Sequence, residues 1–183
     1  RGCVMAMPEF RGFPSISRLF RDVVITEKID GTNACVHVPQ EAEEPLIAGS
    51  RHRWLVDGSD NFGFARWVAD NAECLRQLGP GTHFGEWWGK GIQRGYGISE
   101  KRFSLFNVSK WGVSRPACCY VVPVLRTVNF DTYEILETLA ELSHHGSVAA
   151  PGFMKPEGVV VFHTSSNQLF KVTIEGDAKG KSA

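Results

Sequence analysis

The segment Glu27-Lys28-Ile29-Asp30-Gly31-Thr32-Asn33 sets an amine, a carboxylate and a glycine within four residues, between two runs rich in β-branched side chains. Side chains two apart on an extended chain share a face, so Lys28 and Asp30 are expected to point into one pocket and Ile29 into the core. Gly31 then permits a turn or a close approach of backbone to a ligand. The chemistry this suggests is nucleophilic attack by an amine. A nucleophilic lysine must give up its proton, and a drop of roughly three units from about 10.4 corresponds to about 4 kcal/mol of destabilisation of the charged form. Desolvation, neighbouring cations or a bound metal supply it. Asp30 alone acts in the opposite sense, so its expected task is to hold a ribose or a metal-bound water.

Lys28-Ile29-Asp30-Gly31 resembles the nucleotidyl-attachment motif of the covalent nucleotidyltransferase superfamily, which includes DNA ligases, RNA ligases and mRNA capping enzymes. The longer string through Asn33 is most similar to the phage and RNA-editing branch of RNA ligases. Other segments follow in the family's order. Ala48-Gly49-Ser50-Arg51 resembles the motif whose arginine reaches ribose and nucleic-acid phosphate, with Arg53 an alternative to Arg51; a guanidinium fork suits phosphate oxygens. Phe84-Gly85-Glu86 resembles the third motif, whose Glu contacts the sugar or a metal-bound water. Ser104 to Val108 resembles the segment whose aromatic ring, here Phe106, stacks on the purine, with Asn107 where most relatives have Asp. Lys155-Pro156-Glu157-Gly158 resembles the fourth motif, in which Glu157 helps bind the divalent metal. Leu169 to Ile174 resembles the last motif, usually Lys-x-Lys. Lys171 would meet the α-phosphate, whereas Thr173 departs from the pattern.

The resemblance thus implies a catalytic set of Lys28, Asp30, Glu86, Glu157 and Lys171. The implied nucleotide-binding set is Glu27, Lys28, Asn33, Arg51, Glu86, Phe106, Glu157 and Lys171, with ATP as the nucleotide and Mg²⁺ or Mn²⁺ at Glu157. Its implied product is a lysyl-AMP, passed to a nucleic-acid 5′-phosphate and displaced by a 3′-hydroxyl, with RNA the expected polymer. Each residue alone has a plainer reading: a strand-end lysine, solvated carboxylates, a core phenylalanine. The ordered recurrence of the motifs reverses that preference. The stretch Gly89 to Gly97 is glycine-rich and basic but lacks the phosphate-loop order. Lys90 and Arg94, with Arg53, are read there as nucleic-acid contacts. Trp87 and Trp88 are left out of the site, one of the pair being expected in the core.

The elements that must position these residues follow from patterning. Strand-like runs occur near 23–25, 34–38, 82–88, 103–108, 120–125, 158–162 and 169–174. One helix is expected after Asp60, with Phe64, Trp67, Val68, Ala72, Leu75 and Leu78 forming an apolar stripe that Gly79-Pro80 ends. Another opens at Asp131-Thr132-Tyr133-Glu134, a carboxylate variant of a capping box, and carries Ile135, Leu136, Leu139 and Leu142 to Gly146. Strands with two inserted helices and no regular βα alternation predict an α+β fold of antiparallel sheets with flanking helices. The resemblance implies the nucleotidyltransferase (ATP-grasp-like) adenylation domain over 1–175, followed by a polar tail over 176–183.

Bulk properties bound the rest. A chain of 183 residues supports one substantial core, burying roughly 70% of its extended surface. Twenty Lys plus Arg balance twenty Asp plus Glu, so a nucleic-acid surface must be local. Five cysteines without a C-x-x-C pair fit reduced thiols better than a disulfide framework or zinc site. No apolar run of membrane-spanning length and no secretory pattern is present, so an intracellular, cytoplasmic protein is expected. The rival readings are an ATP-dependent DNA ligase core and a catalytically impaired nucleotide- or RNA-binding module, the latter motivated by Thr173.

Overall fold

A computed structural model describes residues 7–56 and 58–176, so the predicted polar tail beyond 176 lies outside the described residues. Two sheets carry the fold. The first, in the order β7-β1-β8-β9, is antiparallel throughout and comprises β1 (Asp22–Lys28), β7 (Val124–Asn129), β8 (Gly158–His163) and β9 (Gln168–Thr173). The second, β3-β2-β4-β5-β6, comprises β2 (Thr32–Val38), β3 (Ile47–Ser50), β4 (Gly81–Gly89), β5 (Lys101–Leu105) and β6 (Tyr120–Val121). Its β5–β6 pair is parallel, the one exception to the antiparallel expectation among the described strands. The mixed α+β class is as the patterning predicts.

Each sheet buries one face under helix. Val23 and Ile25 of β1 and Val159 and Val161 of β8 pack with Ile135, Leu139 and Leu142 of α4 (Thr132–His145). Helix α4 starts where expected, the Asp131 carboxylate accepting the Tyr133 N–H at 2.8 Å. The capping box does not close, because Glu134 instead accepts from Arg126 at 2.6 Å. Leu136 is exposed rather than part of the stripe. On the second sheet, Ala34, Val36, Trp87, Phe103 and Leu105 pack against Phe64, Val68, Leu75 and Leu78. That predicted helix is divided into α1 (Phe64–Asp70), α2 (Ala72–Leu75) and a 3-10 turn, Arg76–Leu78. The break falls at Asn71, whose side chain donates to the Trp67 carbonyl at 2.9 Å and so competes with helical hydrogen bonding.

Three local departures matter for the site. Strand β3 was not anticipated, being only four residues long. The run at 120–125 is two strands, since Pro123 has no N–H to contribute to a ladder. The run at 103–108 stops at Leu105, because Asn107 caps a short helix, α3 (Val108–Trp111), by accepting the Lys110 N–H. A third cluster, Ile29, Trp88, Tyr96, Val122 and Ala150, fills the junction between the sheets. Both adjacent tryptophans are buried, Trp87 under α1 and Trp88 in this junction. Cys35, Cys74, Cys118 and Cys119 are free thiols. Among the described residues no helix is long and apolar enough to cross a membrane.

Candidate active site

Strand β1 delivers Lys28 to the junction by alternation. Val23, Ile25 and Glu27 face the α4 side, and Lys28 faces the other. The Lys28 Nζ donates to Glu157 Oε2 at 2.6 Å, the lysine side chain being 22% and the carboxylate 9% exposed. Glu157 immediately precedes β8, where Gly158 pairs with both Lys28 and Thr173. Gly158 has to be glycine, because a Cβ there would collide with the Val172 carbonyl. The row Lys28, Gly158, Thr173 is followed along the sheet by Thr26, Val160, Lys171, so Lys171 and Thr173 share the face of Lys28. Lys171 is exposed, one row away from the lysine–glutamate pair.

Glu27 corrects the sequence expectation. Its carboxylate is almost fully buried on the opposite side of β1, where it accepts from Ser147 Oγ at 2.6 Å and from the Val148 and Ala149 N–H groups at 2.8 Å each. With these bonds it anchors the loop after α4, and the side chain does not face the lysine pocket. The period-two rule that aims Lys28 at the pocket necessarily aims Glu27 away.

The turn between β1 and β2 brings the second sheet's contribution to the same place. Glu86 of β4 lies opposite Asn33 of β2; its Oε1 accepts the Gly31 N–H at 3.0 Å and its Oε2 accepts from Asn33 Nδ2 at 3.1 Å. Burial pushes the Glu86 carboxyl up to about 7, against the Gly31 N–H bond and the Lys28 charge, which both favour the anion. Gly31 passes so close to the Trp87 carbonyl that a side chain would clash. One carboxylate thereby fixes the turn that follows the lysine.

Asp30 is held from below. Its N–H donates to the Tyr96 phenol oxygen at 2.8 Å, and its carboxylate accepts from Arg94 Nε at 2.9 Å. The same guanidinium donates to the Lys155 carbonyl at 3.1 Å and to Glu175 Oε1 at 3.3 Å. Arg94 therefore departs from its expected place as a nucleic-acid contact: all three of its nitrogens are engaged by groups of the protein itself, linking the turn after Lys28 to the segments that precede β8 and follow β9. The glycine-rich loop folds this way because Gly89, Gly91, Gln93, Gly95, Tyr96 and Gly97 all adopt positive φ, which curls it beneath the junction. Lys90 of the same loop is exposed. Tyr96 was missed by sequence reasoning; an aromatic residue between Gly95 and Gly97 was its only signal.

Arg51 and Arg53 lie on an exposed turn at the end of β3, and Phe106, 42% exposed, follows β5 on the Glu86 face. The sheets thus bring Lys28, Glu157, Glu86 and Asn33 to one junction, with Lys171 to one side and Phe106 to the other. Among the described residues no group of three or more His, Cys, Asp or Glu side chains is placed to hold a metal by itself. A divalent ion would have to draw on Glu157 and on a nucleotide's phosphates, the arrangement magnesium favours.

Comparison with known proteins follows the same lines. A search of the curated proteins found no match. Among solved structures, variants of Naegleria gruberi RNA ligase align over most of this chain. A glutamate-to-alanine variant with ATP and Mn gives TM-score 0.64 at 18% identity over 87% of this chain and 51% of that one. A lysine-to-alanine variant with ATP and Mn gives 0.60 at 19% over 83% and 48%, and a lysine-to-methionine variant with AMP and Mn gives 0.61 at 18% over 85% and 50%. These likenesses show a shared fold, and the chain spans about half the length of those proteins. The RNA ligase family model matches residues 21–173, well over half of the chain, and the protein therefore belongs to the RNA ligase family.

Proposed function

We propose that this chain, over residues 1–175, is the adenylation domain of an ATP-dependent RNA ligase, with Lys28 as the nucleophile. The observation that carries this is the convergence at one junction of Lys28, Glu157, Glu86 and Asn33 from two different sheets. ATP is the substrate of the first step. The Lys28 amine attacks the α-phosphorus, a P–N bond forms, the P–O bond to the leaving pyrophosphate breaks, and the amine's proton passes to solvent or a phosphate oxygen. AMP is then transferred from Lys28 to the 5′-phosphate of RNA, and a 3′-hydroxyl displaces it to give a phosphodiester. The likeness to Naegleria structures holding ATP or AMP with Mn supports the choice of nucleotide and of a divalent cation.

The residues divide the work. Glu157 holds the Lys28 amine in the junction, and this bond must open before the nitrogen can attack. Glu86 and Asn33 present polar groups where a ribose would lie, while Phe106 offers a ring for the purine; stacking of that kind is worth about 1 to 3 kcal/mol. Lys171 and Arg51 supply positive charge toward the phosphates. When bound, Mg²⁺ or Mn²⁺ supplies compensation for negative charge on those phosphates, with Glu157 as its protein ligand. Thr173 sits in the row of Lys28, so among the described residues that position of the row carries a hydroxyl in place of the second lysine's ammonium.

Incubating the protein with ATP or GTP labelled at the α-phosphate, plus Mg²⁺, tests the proposal. The expected result is acid-labile label on the protein from ATP alone, lost in Lys28→Ala. Label from GTP alone would indicate a capping enzyme, and no label from either would indicate a binding module.

A further inference from the structure

The face of the second sheet that bears Glu86 continues past it as a line of aromatic side chains, of which the proposed adenylation step uses Phe106 and leaves Phe84 and Trp54 without a task. By alternation, Asn33, Cys35 and His37 of β2, Phe84 and Glu86 of β4, Ser104 of β5 and Gly49 of β3 all lie on this face. Register sorts them into rows. Asn33, Glu86 and Ser104 form one; Gly49, Cys35 and Phe84 form the next, which Phe106 extends by donating its N–H to the Phe84 carbonyl at 3.0 Å. At the other end Trp54 bridges to Gly49 and lays its ring on it: a Cβ at Gly49 would lie 3.0 Å from the indole. The same indole meets the His37 ring edge-on at 6.1 Å.

These rings are out in solvent. Trp54 is 45% and Phe84 60% exposed, while Phe64, Trp87 and Phe103 on the helix-covered side are fully buried. A single exposed phenylalanine would call for no explanation. Three rings in line across four strands span roughly 15 Å, the reach of a few nucleotides. One end of the line is the ring proposed to stack on the purine of ATP. The other end is joined to exposed Arg51 and Arg53, whose turn is fixed by the Ser50 N–H and Oγ, both donating to the Arg53 carbonyl. Planar hydrophobic faces beside guanidinium groups complement a strand of bases and phosphates.

We infer that Trp54 and Phe84 form a stacking platform for unpaired bases of the RNA substrate, continuous with the nucleotide site and flanked by Arg51 and Arg53 as phosphate contacts. This rests on the RNA ligase function proposed above and names the surface that holds its polymer.

The test separates the platform from the adenylation chemistry. In a Lys28→Ala background, where no adenylate forms, binding of a 5′-phosphorylated single-stranded oligoribonucleotide is followed by fluorescence anisotropy. Replacing Trp54 and Phe84 by Leu keeps apolar cover and removes the rings. Affinity is expected to fall roughly tenfold per ring and to return with Trp54→Phe and Phe84→Tyr. With Lys28 present, the same leucine double variant is expected to form lysyl-AMP from ATP within about twofold of the parent. Unchanged RNA affinity in a variant with an intact melting transition would overturn the platform. So would parallel loss of self-adenylation, which would assign the row to the nucleotide pocket. A parent that never forms lysyl-AMP would sink the proposed chemistry, yet the oligoribonucleotide titration would still decide the platform.

Discussion

The two sheets meet at Lys28 but present different kinds of surface. On the first sheet's side the functional groups around the turn, exposed Lys171 apart, are tied to protein partners: Lys28 to Glu157, and Asp30, at the turn leaving β1, to Arg94, which also reaches Lys155 and Glu175. On the second sheet only the Glu86–Asn33 row is so constrained, and beyond it Phe84, Phe106, Trp54, Arg51 and Arg53 reach into solvent. The difference follows from what each side is proposed to do. Bond-making chemistry needs atoms placed to within a fraction of an ångström, which mutual hydrogen bonds provide. Recognition of a flexible strand needs open flat surface, which an uncovered sheet face provides.

Breaking the pairs on the first side should therefore affect chemistry more than binding. The largest effect is expected from Glu157→Ala, which removes the partner of Lys28 and the proposed metal ligand together: lysyl-AMP formation should fall by on the order of a hundredfold or more, measured by single-turnover labelling. An unchanged rate would release Glu157 from both roles. Arg94→Ala comes next, with an expected loss on the order of tenfold in adenylation rate through misplacement of the turn after Lys28. Arg94→Lys should recover part of it, and Asp30→Asn should add little on top of Arg94→Ala, because the two act as a pair. The salt dependence of RNA binding should not move; a change in its slope would return Arg94 to the nucleic-acid surface.

A smaller and different effect marks the hinge between the sides. The Glu86 carboxyl is raised from 4.5 to about 7, chiefly by burial, so the folded protein holds this proton more tightly than the unfolded chain does. Its contribution to stability is therefore complete below about 4.5 and is lost as pH rises through about 7, a swing of roughly 3 kcal/mol. Glu86→Gln lacks this titration, and the Asn33 amide can turn to suit it. Relative to that variant, the parent should lose stability to urea between pH 5 and 8. A constant difference across that range would mean that Glu86 does not titrate there in the folded state.

Much of this arrangement was legible in the sequence because it depends on local periodicity. Period two placed Lys171 and Thr173 on one face of their strand, as the register has them, and the apolar spacing of α4 and of Phe64, Val68 and Leu75 located the helices. Readings that failed depend on contacts distant in sequence. Nothing near Glu27 announces that Ser147, Val148 and Ala149 will bind its carboxylate 120 residues later. Nothing in a glycine-rich basic loop says that Arg94 will fold inward onto Asp30. Trp54 could not be ranked as a candidate without β3, whose four residues carry too short a pattern to detect. Asn107 looked like a departure from its relatives, and the structure gives it a local task as a helix cap.

Peptide mass mapping after incubation with ATP and Mg²⁺ tests the central claim most directly. The account predicts an AMP adduct on the peptide that contains Lys28, absent when the protein is treated with ATP and a chelator. An AMP adduct confined to another lysine, or a protein left unmodified under conditions in which it binds ATP, would contradict it.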